Sequence, residues 1–533
     1  MSDAIVIGAG PNGLVAANHL ADAGWQVHVL EAQPRPGGAV KTAELTEPGF
    51  RHDSFSAFYP LAAASPAIRR LELERHGLEW RHGPLVLAHP RADGSCVALS
   101  RDLDETAASL DGFAAGDGDA WRRLFELWLR VREPLLQGLG TPMPPVVPAL
   151  GVAGRLGPGG LLRFLRMAVL PVRRLATEHF RGEGAGRLLA GNALHADLAP
   201  ESALSAFYGW FLSSLGQDVG FPFPRGGAGQ LTAALVRRLE SLGGTITCNA
   251  RVEQILVRRR RAVGVRLEGG EEVGARHAVL ADVSAPSLYL RLLPRDLVPA
   301  RALNDLRRFE WDWSTFKVDW ALDGLIPWTA PDARRSPVVH IAEGIDELTE
   351  TTAQLARGLV PERPFLIFGQ YSMGDSTRAP EGKESAWAYT HVPRGAESDA
   401  EGLVERIEER VEELAPGFRG LVLGRHVATP GDLEQADENL VDGAINGGTA
   451  QLHQQLVWRP TTGLGRPETP VACLYLASAS AHPGGGVHGG PGAIAARAAL
   501  NGDRIARAAV VVGAASLAAA TRSSARAYRA RRA

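Results

Sequence analysis

The chain has 533 residues, of which 45% are hydrophobic and 22% are charged, and this composition excludes extensive disorder. Its formal net charge of -2 lacks the basic excess of a general nucleic-acid-binding protein, so we expect no nucleic-acid partner. The three cysteines, Cys96, Cys248 and Cys473, are far apart in sequence, which predicts no redox dithiol, no disulfide framework and no cysteine-based zinc site.

The sequence passes from Met1 directly into an apolar strand pattern, without the charged and apolar regions of a signal peptide. Its longest apolar run, Ala508 to Ala520, spans 13 residues. A membrane-spanning helix needs ~20 apolar residues. We therefore expect a cytoplasmic protein, either free in solution or peripheral to a membrane.

The first forty residues predict a strand, a glycine turn, a helix and a second strand. Ala4–Ile7 has the composition of a buried parallel strand, and Leu14–Ala23 has helical periodicity. Between them, Gly8–Gly13 forms a G-x-G-x-x-G turn, and the second strand, Trp25–Leu30, ends at Glu31. A glycine turn between strand and helix, followed by an acidic residue after the next strand, indicates a dinucleotide-binding site.

Each part of this motif has a physical role in holding a dinucleotide. Gly8 permits the sharp turn, Gly10 lets the backbone approach a pyrophosphate, and Gly13 permits close helix–strand packing. The free amides at the start of the helix attract the phosphates. Glu31 can accept hydrogen bonds from a ribose diol and would repel a 2′-phosphate, which disfavours NADP. The candidate contacts of the turn are Gly8, Ala9, Gly10, Pro11, Asn12 and Gly13.

Residues 103–217 favour helices, with an interruption at the Pro- and Gly-rich stretch 138–160. Within them, Leu161–Arg174 combines apolar and cationic residues at partly helical spacing. Such a segment either lies in a membrane interface or forms a core helix whose arginines reach outward. The sequence leaves both interpretations open.

Two further blocks resemble parts of a cofactor-binding sheet. The first runs from Phe221 to Asp282 as one helix and several strands, and residues 286–424 mix strands and helices. The second is a buried strand, 473–477, a glycine turn, 484–486, and a helix, 492–509. Its helix N-terminus presents a second set of free backbone amides.

Several motifs together resemble those of one flavoprotein family. Glu31–Gly38 resembles the E-x-x-x-R-x-G-G extension of FAD-dependent oxidases and desaturases, and His482–Gly492 resembles an H-P-G-G-G-x-x-G-x-x-G signature. Pro224–Gly227, Gly49–Asp53 and Ile445–Gly448 also match. The chain is thus similar to the phytoene desaturase-like flavoproteins, which include carotenoid desaturases, carotenoid ketolases and the family of pyridine nucleotide-disulfide oxidoreductase domain-containing protein 2.

The resemblance implies that Arg35 and the Gly37 and Gly38 amides reach the flavin side of FAD, and that the region of Val252 holds the adenine. Ser478 and Ser480 stand where relatives often have glycines, and Ala39 stands where many amine oxidase relatives have arginine. The further candidate cofactor contacts are Glu31, Ala32, Arg35, Gly37, Gly38, Ala39, Val40, Val252, Ser480, Gly486 and Val487.

No motif identifies the catalytic residues. His482 and His488 flank the second glycine turn, where either could handle a proton. In the alternative interpretation, which is favoured, His482 caps or orients the turn and His488 packs at its rim. Asp53 is a candidate either for fixing a loop or for catalysis. The sequence has no H-E-x-x-H or similar metal-ligand spacing, so we expect no metal.

The resemblance implies an FAD-dependent oxidoreductase that dehydrogenates or otherwise oxidises an apolar, isoprenoid- or carotenoid-like substrate by hydride transfer to the flavin. Because the sequence contains one convincing dinucleotide fingerprint, we expect the electron acceptor to be oxygen, a quinone or another acceptor rather than a separately bound NAD(P)+. Two alternatives stay open. One is an amine oxidase-like flavoenzyme that acts on a small polar amine, and the other is a flavin-containing regulatory or interaction protein with little turnover.

The sequence predicts an α/β fold with two interwoven parts. A Rossmann-type FAD-binding domain is assembled from the discontinuous segments 1–100, 218–289 and 425–507. An α+β substrate or cap domain is formed by 101–217 and 290–424, and we expect the substrate to enter between the two. Residues 508–533 are predicted to form a C-terminal apolar helix and a basic tail.

Overall fold

The structure is a computed structural model that describes residues 1–396 and 399–504. The predicted C-terminal helix and tail, residues 508–533, lie outside the described residues. Two seven-stranded sheets and the helices packed on them make up most of the described part of the chain.

The strands are β1 (Ser2–Ile7), β2 (Val27–Leu30), β3 (Thr42–Ala43), β4 (His52–Asp53), β5 (Trp80–Arg81), β6 (Leu87–Pro90), β7 (Cys96–Leu99), β8 (Phe223–Pro224), β9 (Thr245–Thr247), β10 (Val252–Arg258), β11 (Arg261–Leu267), β12 (Glu272–Ala281), β13 (Ser314–Leu322), β14 (Val338–Ile341), β15 (Leu366–Gln370), β16 (Glu384–Val392), β17 (Val422–Ala428) and β18 (Leu474–Leu476).

The helices are α1 (Pro11–Asp22), α2 (Pro60–Ala64), α3 (Pro66–Arg69), α4 (Leu103–Asp111), α5 (Asp117–Gly138), α6 (Val146–Val169), α7 (Val172–His179), α8 (Gly184–Leu194), α9 (Ser205–Val219), α10 (Gly229–Ser241), α11 (Ala285–Ser287), α12 (Ala300–Leu306), α13 (Pro331–Arg335), α14 (Ile345–Ala356), α15 (Ala400–Leu414), α16 (Pro430–Ala436) and α17 (490–504).

The first sheet is of the Rossmann type. Its parallel part has the order β9–β2–β1–β12–β18, and β10 and β11 extend it as an antiparallel meander on the first half of β12. The Ala4–Ile7 segment of β1 is buried, as expected for a central parallel strand that is covered on both faces. Apolar side chains of α1, α10 and α17 pack together in one core against it. The predicted α/β fold is confirmed.

The second sheet has the order β17–β13–β16–β15–β14–β6–β7 and is antiparallel except for the pairing of β6 with β14. All nine residues of β13 are buried. The helices α4 to α9 supply most of the core on one side of this sheet, and α15 contributes to a second core with β13 and β15.

The border between the two sheets differs from the predicted segment boundaries. β6 and β7 fall within residues 1–100, which we assigned to the cofactor-binding part, yet they belong to the second sheet. The pairing that places them there joins Leu87 to Val338, far apart in sequence. Such a non-local pairing leaves no local signal in the sequence, because it depends on the assembled sheet.

Helix α6 begins inside the stretch predicted to interrupt the helical segment. The helix has one non-helical residue, Gly157, with φ 67° and ψ 173°, and Pro158 follows it. Pro158 therefore stands in the first turn of the second half, where a missing N–H removes no helical hydrogen bond. The Pro- and Gly-rich composition thus produces a kink rather than a loop.

Candidate cofactor-binding and active site

The turn between β1 and α1 brings a strand end into direct contact with a helix start. A Cβ added to Gly13 would lie 2.1 Å from the carbonyl oxygen of Gly8, so only glycine fits there. Gly8 has φ +92°, in the left-handed region that favours glycine. Within the described part of the chain, no side chain caps α1, whose N-cap is Gly10. The backbone of this turn can therefore approach a phosphate closely.

Asp282, which follows β12, lies against the same turn. Its Oδ2 accepts a hydrogen bond from the Gly13 N–H at 2.7 Å, and the residue lines the adjacent cavity. Burial, with smaller contributions from Asp437 and Glu31, raises the pKa of this carboxyl to about 8, although the hydrogen bond from the Gly13 N–H opposes the shift. Asp282 is therefore mainly protonated at neutral pH. Sequence reasoning did not identify it, although an acidic residue directly after a buried strand was a usable signal.

Glu31 follows β2 and is almost fully buried beside the turn. Its Oε2 accepts the Ala9 N–H at 2.7 Å, and its Oε1 accepts the Gln33 N–H at 2.8 Å. These two amides fix the orientation of the carboxylate. Each oxygen keeps a second lone pair, which is available to a ribose diol as the sequence predicts.

A second glycine turn, residues 482–486, connects β18 to α17, and the loop 445–448 lies beside it. The carboxylate of Asp312 holds this loop by accepting the N–H groups of Ile445 and Asn446, each at 2.7 Å, and that of Gly448 at 3.1 Å. Asp312 is thus the residue around which the Ile-Asn-Gly-Gly segment folds.

The guanidinium of Arg459 joins the loop 445–448 to the segment that precedes the second turn. It is 1% exposed and donates to the carbonyl oxygens of Asn446, Gly447 and Thr449 at 2.9, 3.1 and 3.0 Å, and to that of Ala479 at 2.8 Å. Burial lowers its pKa to about 10, so it stays cationic at neutral pH. Sequence reasoning missed both Arg459 and Asp312, because no motif surrounds either residue.

One cavity of about 870 Å³ joins the two glycine turns. Gly10 and Gly486 both lie in its wall, as a single dinucleotide that spans both turns requires. Ser480 adds a buried hydroxyl with no hydrogen-bond partner among the described residues, and such a group can pair with a ligand. These residues fit FAD. The predicted contacts in the cavity wall are Gly8, Gly10, Pro11, Asn12, Glu31, Ala32, Gly38, Ala39, Val252, Ser480, Gly486 and Val487.

The other predicted contacts lie outside the cavity wall. The amides of Ala9 and Gly13 are bound to Glu31 and Asp282, and Gly37 donates its N–H to the Ala9 carbonyl at 2.9 Å. Val40 accepts a hydrogen bond from the Thr232 hydroxyl at 2.7 Å. Ala9, Gly13, Gly37 and Val40 therefore lie outside the cavity wall and stabilise the residues that form it. Arg35 differs from the prediction more strongly, because its side chain is exposed and does not line the cavity.

His482 and His488 both line the cavity at the second turn. The Nδ1 of His488 accepts the Gly490 N–H at 3.0 Å, and its Nε2 pairs with the Gly485 carbonyl oxygen at 3.2 Å. His488 therefore binds the backbone on both sides of its own position, a role that we assigned from the sequence to His482 rather than to His488. Burial lowers the pKa of each histidine to about 4, so both are neutral at physiological pH.

Part of the remaining wall of the cavity is aromatic. Trp387 and Tyr389, on β16, stack with their ring centroids 6.0 Å apart and an interplanar angle of 10°. The Nε1 of Trp387 donates to the hydroxyl of Tyr371 at 2.7 Å, which fixes the plane of the indole. The other aromatic residues of the wall include Phe58, Phe207, Phe211 and Phe221.

Asp53 holds Tyr371 in position from outside the cavity wall. Its Oδ2 accepts a hydrogen bond from Tyr371 at 2.7 Å and lies 3.1 Å from the guanidinium of Arg378. Its Oδ1 accepts the Thr42 hydroxyl and the Ala228 N–H, each at 2.8 Å. Asp53 is fully buried and does not line the cavity. These contacts match the loop-fixing interpretation rather than the catalytic one.

Lys317, on β13, places a buried cation in the cavity wall. It is 3% exposed and forms an ion pair with Asp319, which is also buried. Burial alone would raise the pKa of Asp319, but the Lys317 charge beside it holds that pKa below its usual value. Sequence reasoning did not identify Lys317. The available signal was a lysine in an apolar strand of a chain that has only three lysines, the others being Lys41 and Lys383.

We expect the affinity for FAD to fall as the pH rises above about 8, because ionised Asp282 would place a negative charge beside the pyrophosphate. FAD then binds preferentially to the protein in which Asp282 is protonated. Its apparent dissociation constant therefore rises by up to about tenfold per pH unit. Asp282→Asn keeps an acceptor for the Gly13 N–H but cannot ionise, so its affinity should be flat over the same range. Titration of each apoprotein with FAD at neutral and alkaline pH measures how the dissociation constant depends on pH. The same dependence in the wild type and in Asp282→Asn would contradict the role assigned to Asp282.

Two family models match the chain. The model described as "NAD(P)-binding Rossmann-like domain" matches residues 6–71, and the model described as "Flavin containing amine oxidoreductase" matches residues 171–491. The second match covers more than half of the chain.

The curated proteins that are similar to the chain include two from different groups that match it over nearly its whole length. The chain is 28% identical to pyridine nucleotide-disulfide oxidoreductase domain-containing protein 2 of Rattus norvegicus, over 93% of this chain and 92% of that protein. It is 25% identical to the lycopene-forming phytoene desaturase of Pseudescherichia vulneris, over 92% of this chain and 96% of that protein. The predicted resemblance to these flavoproteins is confirmed.

The same fold occurs in solved structures. Wild-type putrescine oxidase bound to putrescine superposes with a TM-score of 0.60 at 17% identity, and the match covers 95% of this chain and 99% of that one. The likeness extends to both sheets, because it covers nearly all of each chain.

Proposed function

Since the chain belongs to the flavin-containing amine oxidoreductase family, with FAD as its cofactor, we propose that it dehydrogenates or otherwise oxidises an apolar, isoprenoid-like molecule. The aromatic part of the cavity wall carries this proposal. Aliphatic side chains extend that wall, including those of Leu212, Val338 and Ile367. Burial of an uncharged hydrocarbon against such surface is favourable, and the name of the phytoene desaturase relative agrees with such a substrate.

Bound FAD supplies the hydride acceptor. The chain supplies binding, orientation and electrostatics. The backbone at Gly10 and Gly486 would hold the two halves of the dinucleotide. Trp387, whose indole plane is fixed by Tyr371, would cover the adjacent part of the bound substrate with apolar surface. Lys317 places a positive charge in a region of low dielectric constant, which stabilises negative charge that develops in the cavity.

Oxidation of an amine is the second candidate function. The family name and the fold shared with putrescine oxidase support it. The stacked pair of Trp387 and Tyr389 also presents aromatic faces, which attract organic cations as well as hydrocarbons. The two candidates therefore require a direct test with substrates of both classes.

We expect phytoene in detergent micelles to bleach the visible absorbance of the bound FAD under anaerobic conditions, and putrescine to leave it unchanged. The physical reason is that the aromatic and aliphatic part of the wall buries apolar surface, and that the Lys317 cation, 5.8 Å from the centroid of the Trp387 ring, would repel an ammonium group there. Admission of air, or of a soluble quinone, should then restore the colour, and the faster agent identifies the electron acceptor. Bleaching by putrescine alone would favour the amine, whereas no bleaching by either would favour a protein with little turnover.

We also propose that α6 docks the protein on an anionic membrane surface. Leu162, Leu165 and Val169 are 71%, 52% and 52% exposed and share one face of the second half of α6. In the first half, Val147 and Leu150 are 74% and 66% exposed. An apolar helix face of this kind can lie at the boundary between lipid headgroups and acyl chains.

The charges beside this face favour anionic lipid. Arg163 is exposed next to Leu162, and Arg166 and Arg174 share the single carboxylate of Glu178. Pro145 and Ala168, at the two ends of α6, line the cavity, so a docked α6 would bring the cavity next to the lipid. Within residues 1–396 and 399–504, no helix is both long and apolar enough to cross a membrane.

We expect the holoenzyme to co-sediment with phosphatidylcholine vesicles that contain phosphatidylglycerol, and the Leu162→Ser/Leu165→Ser double variant to bind at least about tenfold more weakly. Each leucine that enters the interface contributes about 1.5–3 kcal/mol when fully buried. Leu325→Ser is the matched control, because Leu325 is 63% exposed but lies in the segment after β13. Equal binding of the double variant and the wild type would contradict docking by α6.

A further inference from the structure

The apolar wall at the end of α8 is interrupted by a histidine. His195 directly follows the last residue of α8 and lies in the cavity wall with Phe207 and Phe221. Its ring meets that of Phe221 at an interplanar angle of 73°, with centroids 6.5 Å apart. Asn192, one turn earlier, also lines the cavity, and its Oδ1 has no hydrogen-bond partner among the described residues. His195 and Asn192 therefore place polar groups in the wall beside the aromatic side chains of Phe207 and Phe221.

A second buried histidine holds the ring of His195. The two Nε2 atoms of His195 and His340 are 2.8 Å apart. His340, on β14, is fully buried, and it fits because position 191 is glycine: a Cβ there would lie 2.4 Å from His340 Nδ1. Arg187, Gly191 and His195 follow each other on one face of α8 at intervals of four residues. On this face, Gly191 leaves the space that the ring of His340 occupies, and His340 in turn holds the ring of His195.

Burial keeps the pair neutral. It lowers the pKa of His195 to about 3, with His391 adding to the effect, and it lowers the pKa of His340 well below the ordinary value, with His195 and His89 adding to it. A neutral imidazole has one N–H donor and one acceptor nitrogen. Because the Nε2 of His195 is paired with His340, its Nδ1 is the nitrogen left for a molecule in the cavity.

We propose that His195 binds one neutral oxygen-bearing group, a hydroxyl or a carbonyl, on an otherwise apolar substrate. This inference rests on the proposed function, which places an apolar molecule in the cavity. A hydroxyl can pair with either tautomer of the imidazole, and a carbonyl can pair with the tautomer that carries its proton on Nδ1. A carboxylate could accept the same N–H, but a neutral imidazole would leave its charge without a counter-ion, and a hydrocarbon would leave the nitrogen without a partner.

Farnesol and farnesene test the proposal, because they share an isoprenoid chain and differ in the hydroxyl group. Each is titrated into the dithionite-reduced holoenzyme, which cannot oxidise the alcohol, and binding is followed by quenching of tryptophan fluorescence. We expect the wild type to bind farnesol roughly tenfold more tightly than farnesene. His195→Phe should lower the affinity for farnesol to that for farnesene, and leave the latter unchanged. His195→Gln, which keeps a hydrogen-bonding amide, should retain a preference for farnesol.

Equal affinities of the wild type for the two probes would overturn the role of His195 while leaving the apolar substrate class in place. Binding of neither probe would overturn both the substrate class and the role of His195. His179→Phe makes the same change at the exposed end of α7 and should leave both affinities unchanged. Retained FAD reports that each variant is folded, and the comparison of probes on the wild type needs no variant at all.

Discussion

Replacement of Gly13 by alanine should abolish FAD binding and destabilise the fold. The new Cβ would lie 2.1 Å from the Gly8 carbonyl oxygen and 3.1 Å from Asp282 Oδ2. The first is backbone and the second is a buried, hydrogen-bonded side chain, so α1 would have to move away from β1. That displacement opens the turn and disturbs the core that α1 shares with α10 and α17. We expect a loss of about 3 kcal/mol or more in the free energy of unfolding.

The FAD content after purification and the midpoint of urea unfolding measure this effect. Gly154→Ala is the matched control, since no heavy atom lies within 4 Å of its added Cβ and the residue lies inside α6. Alanine should be neutral there or stabilise the helix by up to about 1 kcal/mol. A Gly13→Ala protein with full FAD content and an unchanged midpoint would refute the packing of this turn.

Replacement of Arg459 by methionine should have a comparably large effect at the second glycine turn. The methionine side chain fills similar space but leaves the carbonyl groups of Asn446, Gly447 and Thr449 and of Ala479 without their buried donor. Each buried acceptor that is left without a hydrogen-bond partner costs about 1–3 kcal/mol. Because the loop 445–448 and the second turn would lose their common anchor, FAD should also dissociate more readily.

Arg466→Met is the control for the loss of charge, because Arg466 is exposed and pairs with Glu468 at the surface. Such pairs contribute about 0–1 kcal/mol, so its unfolding midpoint should stay close to that of the wild type. Thermal unfolding of the holoenzymes and the rate of FAD release compare the two variants. Similar values for Arg459→Met and Arg466→Met would show that Arg459 does not anchor the loop.

The cofactor turn could be predicted in detail because its function depends on residues close together in sequence. Gly8, Gly10 and Gly13 set the backbone of one turn, and Glu31 follows the adjacent strand of the same βαβ unit. The strands and helices of this unit were predicted to within a few residues of their observed bounds. Local periodicity is sufficient where the motif, the elements and the ligand all belong to one short segment.

The rest of the site depends on contacts between distant segments. Asp312 binds amides more than 130 residues away, and Lys317 enters the cavity wall from β13, which lies between β17 and β16 in the second sheet. Neither residue has neighbours in sequence that suggest its role. The prediction for Arg35 used a motif position without knowing where the side chain would point, and the structure places that side chain at the surface.

The contacts of Asp53 determine how the cavity can be entered. Thr42 and Ala228 bind this carboxylate from the side of the first sheet, and Tyr371 and Arg378 bind it from the side of the second. A hinge motion that separated the two sheets would leave the carboxylate and Arg378 buried without partners or exposed to water, and either change is costly. Substrate exchange therefore does not depend on separation of the two sheets, and it should continue in a protein whose two sheets are cross-linked to each other.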